Sequence, residues 1–119
     1  MIEHAVIRYG GYFAASSEEY YKCYYCKYYV AVWLFSASPT IRNSTLFKND
    51  HGIAAWDGSM PTLNCNEIYA NLAEGIYSDK LEIPVNAENQ WWGDATGPIH
   101  TSNPNGQGQA VGDGVDFTP

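Results

Sequence analysis

The sequence predicts an all-β chain, a solenoid of short coils of about 22 residues each, and three observations lead there. First, the chain repeats itself. "SPTIRNSTLFKND" at 38–50 superimposes on "MPTLNCNEIYANL" at 60–72, with Pro39 on Pro61, Thr40 on Thr62, Leu46 on Ile68 and Asn49 on Asn71. Second, the apolar segments inside each copy, such as "GIAAW" and "PTL", are too short for helices and are bounded by Gly, Asn, Asp and Pro. Third, a period this short cannot hold a four-stranded blade, whereas three short strands stacked on the next copy satisfy it.

The elements follow in order. "IEHAVIRYGG" at 2–11 aligns with "IRNSTLFKND" at 41–50 once about 17 inserted residues are set aside. The insertion, about 12–29, carries "EEYYKCYYCKYY" and with it six of the ten tyrosines. At helical spacing Tyr20, Tyr21, Tyr24, Tyr25, Tyr28 and Tyr29 share one half of the wheel. Ser16 with Glu19 fits a capping box, and Glu18 to Lys22 is a favourable pair, so the insertion reads as a short helix or helical loop against the solenoid. A strand repeats at 30–35, 52–57 and 75–79, with Ala31, Trp33, Ile53, Ala55 and Ile76 expected inward. Val32, Leu34, Ala54, Trp56 and Tyr77 are then expected outward. A further step of 22 carries Leu63 to Val85 and Asn64 to Asn86, which predicts amide ladders of Asn49 over Asn71 and Asn64 over Asn86.

The C-terminal run "ENQWWGDATGPIHTSNPNGQGQAVGDGVDFTP" resembles the closing segment of right-handed parallel β-helix domains of the pectin-lyase-like superfamily. Trp91, Trp92, Gly93, Gly97, Pro98, Gly106, Val115, Phe117 and Pro119 carry that resemblance, which implies a right-handed parallel β-helix closed by a cap at about 89–119. It also implies a setting outside the cell or at its surface, and it leaves activity open because one fold hosts many functions. The whole chain, 1–119, reads as one domain.

Composition narrows the partners. Six basic against thirteen acidic residues give a net charge of −7, which disfavours nucleic acid and anionic membranes. The longest apolar run, 28–35, is too short to span a bilayer, so no membrane insertion is expected. The opening "MIEHAVIRYGG" has neither a cationic n-region nor an apolar h-region, and predicts no signal peptide.

Candidate sites are few. Cys23 and Cys26 form a C-x-x-C flanked by Lys22 and Lys27, which favours the thiolate and hence a disulfide or a reactive thiol. Haem attachment wants a histidine after the second cysteine. A structural zinc would need Cys65 and scattered His4, His51 or His100, so no metal or cofactor is expected. Cys65 aligns with Asn43 and Ala87 and is expected as a packed thiol in a turn slot. Asp57 and Asp79 close neighbouring strands and make an acidic site, with turn formation as the plainer reading. The tyrosines, Leu34, Trp56 and Tyr77 are the expected contact surface. Together these features predict a non-catalytic module acting by self-association or by protein or surface contact. The alternative is a domain that binds or cleaves polysaccharide along Trp56 and Tyr77.

Overall fold

The computed structural model describes residues 1–8 and 30–118. Among the described residues, eleven strands of two to six residues make up the regular structure and there is no helix. They are β1 (Ile2–Glu3), β2 (Val6–Arg8), β3 (Val30–Phe35), β4 (Thr40–Arg42), β5 (Thr45–Phe47) and β6 (His51–Trp56). Then follow β7 (Thr62–Asn64), β8 (Glu67–Tyr69), β9 (Ile76–Ser78), β10 (Val85–Asn86) and β11 (Val115–Asp116). All pairing between them is parallel, in sheets ordered β1-β4-β7, β2-β5-β8, β3-β6-β9 and β10-β11.

The expected right-handed parallel β-helix, a solenoid of coils, is corrected here. The described residues are all-β, but their strands lie in four small separate parallel sheets, in a body of 43 × 29 × 26 Å. The physical reason is that the 22-residue step does not persist. It sets the register of Ile41 on Leu63 and Leu46 on Ile68, then fails. Val85 pairs with Val115, not with Leu63, and Glu67 bridges to Trp91 at a longer step. The helical reading of the insertion lies outside the described residues.

Several of the short strands bury their middle or alternate side chains. Ile41, Leu46, Ile53, Ile68 and Ile76 are fully buried, with Ala55, Val85 and Ala87 beside them. Burial at about 25 cal/mol per Å² of apolar surface makes these side chains the main favourable term. Irregular backbone between the strands is tied down by buried polar side chains. Asn71 Oδ1 accepts from the Asn49 backbone N–H at 3.0 Å and from Asn49 Nδ2 at 3.1 Å, while Asn71 Nδ2 donates to the Leu46 carbonyl. Gln109 continues this ladder, its Oε1 accepting the Asn71 N–H at 2.7 Å. The expected Asn49–Asn71 ladder is therefore present. The second one is not Asn64 over Asn86: Asn64 is exposed and contacts Cys65. Ser44, Asn66 and Gln90 form it instead, with Asn66 Oδ1 taking the Ser44 N–H and Gln90 Oε1 taking the Asn66 N–H.

The C-terminal run occupies the outer edges of two sheets. Ile68 donates to the Trp91 carbonyl beside β8, and Gly75 and Gly112 bond with Ala110 and Ile76 beside β9. Among the described residues β1, β2 and β3 are each paired on one side only.

Candidate functional site: an aromatic row and its cleft

In the β3-β6-β9 sheet the pairs are Val32 with Ile53, Leu34 with Ala55, Ile53 with Ile76 and Ala55 with Ser78. These face inward, and Leu34 is only 6% exposed. The opposite face carries Trp33 against Ala54, Phe35 against Trp56, and Tyr77 against Ala54. So the expected parity of β3 is corrected: Leu34 and Val32 are core, and Trp33 and Phe35 point out. Ala54, expected outward, is nonetheless 4% exposed because the flanking rings cover it.

The cause is one residue. Alignment of the repeats at a step of 22 sets Trp33 on Ala55, whereas the observed step between these strands is 21. The extra residue sits in the turn at Asp57 and Gly58, both in the left-handed region at φ 53° and 74°. After it the step of 22 resumes, with Met60 N–H donating to Ser38 Oγ. A slip of one residue exchanges the two faces of a strand. The signal was available, since placing Ser36 opposite Asp57 as the turn residues that end their strands yields the observed register.

Trp33, Trp56 and Tyr77 form a row. The two indoles stack with centroids 6.3 Å apart and planes 19° apart, and Trp56 lies 5.4 Å from the Tyr77 ring. Cross-strand aromatic pairs of this kind add about 0.5–1.5 kcal/mol beyond their buried area. A second stacked pair, Phe47 and Tyr69 at 5.5 Å, runs along the β5-β8 face. The first row borders a cleft of about 370 Å³ that His51 and Glu74 also line, joined at 3.0 Å between Nε2 and Oε2. Sequence reasoning used His51 only as a remote zinc ligand and did not find Glu74.

Asp57 and Asp79 do come together, but as turn residues. The Asp57 N–H donates to Asp79 Oδ2 at 3.0 Å, the Ser36 hydroxyl bonds the Asp57 carboxylate, and the Asp79 N–H donates to the Ala55 carbonyl. Cys65, expected as a packed thiol, is exposed in a left-handed turn at φ 54°, in the same slot as Asn43 at 51°. Cys23, Cys26 and the six tyrosines of the insertion lie outside the described residues. No group of three or more His, Cys, Asp or Glu side chains that could hold a metal ion occurs among the described residues. At the edge formed by β1, a hydrogen bond from the Arg42 guanidinium at 3.0 Å holds the Glu3 carboxyl below the usual carboxylate range.

No family model, curated protein or solved structure matches this chain. What it does must therefore be argued from its own surfaces.

Proposed function

We propose that the domain works by association, with a second copy of itself or with another protein. One observation carries this reading: β1, β2 and β3 are the end strands of three parallel sheets, each paired on one side only among the described residues. Exposed apolar side chains flank them, Val6 at 65% and Phe35 at 67%. The opposite edges at β8 and β9 are hydrogen-bonded by the chain's own C-terminal run. An edge strand offers a row of backbone donors and acceptors to a further strand, and apolar side chains beside it reward the pairing. Hydrogen exchange at several protein concentrations tests the reading. Self-association through this edge raises protection of the Val6–Arg8 amides as concentration rises, and protection independent of concentration would sink the second copy as the partner.

A second reading rests on the cleft. Apolar walls of Trp33, Trp56 and Tyr77 with a few convergent polar groups, His51 and Glu74, have the make-up of a small-ligand site, and a saccharide ring fits that chemistry. The stacked indoles turn their faces toward each other, which leaves less face for a sugar and ranks this reading second. It predicts saccharide-dependent quenching of tryptophan fluorescence that Trp56→Ala abolishes. Unchanged fluorescence across a broad glycan panel would dismiss it.

A further inference from the structure

The C-terminal run holds a linked set of side chains that neither reading uses. The His100 side chain is 14% exposed and meets the Phe117 ring edge-on, with centroids 5.5 Å apart. Its Nδ1 accepts the backbone N–H of Ser102 at 3.1 Å. A backbone N–H can only donate, so in the neutral ring Nδ1 is bare and the proton is on Nε2. Nε2 lies 2.9 Å from Asp113 Oδ1, which accepts that proton's hydrogen bond. With Nδ1 bare, the Ser102 hydroxyl at 2.8 Å must be its donor.

The result is a hydroxyl aimed at an imidazole lone pair, with a carboxylate orienting the ring from the far side. Nucleophile, base and orienter stand in hydrogen-bond sequence, the ring nitrogens exchanged relative to the serine-hydrolase triad. Ser102 also lines an open cleft of about 430 Å³ that includes Trp92, Phe117, Gln90 and Thr118. A reactive group needs such a space beside it, with apolar surface for the acyl part and polar groups for orientation.

The geometry points to Ser102, His100 and Asp113 as a nucleophilic site that takes the acyl group of a small ester. Ser102 Oγ adds to the ester carbonyl carbon while its proton passes to His100 Nδ1. The tetrahedral adduct collapses, the bond from carbon to the alcohol oxygen breaks, and that oxygen leaves with the proton from Nδ1. Water then adds to the acyl-serine, delivers a proton through Nδ1 to Ser102 Oγ, and releases the carboxylic acid. Asp113 is a positioning residue, fixing the tautomer in which Nδ1 carries a lone pair and no proton; taking the hydroxyl proton displaces the Ser102 backbone N–H that shares that lone pair. This site is separate from the association surface and does not depend on it.

The test is covalent labelling of the full chain with a fluorophosphonate probe, located by peptide mass mapping, alongside hydrolysis of p-nitrophenyl acetate. The expected adduct is on Ser102 and absent in Ser102→Ala, and its rate falls by about 100-fold or more in His100→Gln. Asp113→Asn slows labelling with an unchanged melting temperature, since this side chain is 77% exposed, and Asp113→Glu restores it. If His100→Gln fails to fold, the two Asp113 variants decide. No adduct on Ser102, or labelling equally fast in Asp113→Asn, overturns the proposal.

Discussion

Replacing Asn71 by alanine removes the centre of the better-connected ladder, and the cost can be worked from its bonds. The side chain accepts twice from Asn49, at 3.0 and 3.1 Å, and donates once to the Leu46 carbonyl at 3.1 Å. At a net of about 1 kcal/mol for each hydrogen bond, the loss is about 3 kcal/mol. The true loss leans above that, because Asn49 is only 2% exposed and its backbone N–H has no ready access to water. In a chain of 119 residues each kcal/mol shifts the melting temperature by about 4 °C, so a fall of roughly 12 °C is expected. Asn64→Ala is the internal control, since Asn64 is exposed and belongs to no ladder; its change should stay within about 0.5 kcal/mol. Thermal unfolding by circular dichroism measures both. A melting point for Asn71→Ala within about 3 °C of the parent would show that the ladder does not hold these turns.

Two further predictions concern register and pH. Leu34→Ala should cost about 2–5 kcal/mol and Phe35→Ala less than about 1 kcal/mol, read as denaturant midpoints; the reverse order would restore the parity expected from the repeat alignment. Asp94 accepts from the Thr96 hydroxyl at 2.6 Å and then from the Thr96 N–H at 2.9 Å, which holds its carboxyl below the ordinary value. A carboxyl lowered in the folded state stabilises above its unfolded pKa, and that share is lost as pH falls through the folded one. Asp94→Asn should therefore flatten the decline in stability below about pH 4, and denaturant titrations with an identical acid slope in both proteins would refute this.

How much could be read in advance divides along physical lines. Class and segment lengths were legible, because short apolar runs between turn formers admit only strands. Strand pairs fixed by Ile41 over Leu63 and Leu46 over Ile68 were legible as well, since two apolar columns repeat at one spacing. The faces of β3 were not, because a single extra residue in the turn at Asp57 and Gly58 makes the step 21 before the turn and 22 after it. The step beyond β9 also misled. Val85 and Asn86 echo Leu63 and Asn64 in sequence, yet Val85 is paired by Val115, a partner set by the path of an irregular run that no local pattern encodes. Polar contacts followed the same rule: Asn49 over Asn71 keeps the repeat spacing and was visible. Gln90 and Gln109 reach their partners from irregular segments and were not. His100 was seen only as a stray metal ligand, because its Asp113 partner lies 13 residues away across a loop.

The most direct test of association is absolute mass by light scattering across a concentration series, with and without reductant. A defined oligomer or a mass that grows with concentration is expected. Reductant sensitivity would bring in the exposed Cys65 thiol or the Cys23 and Cys26 pair. A monomer at every concentration, in both conditions, would contradict self-association.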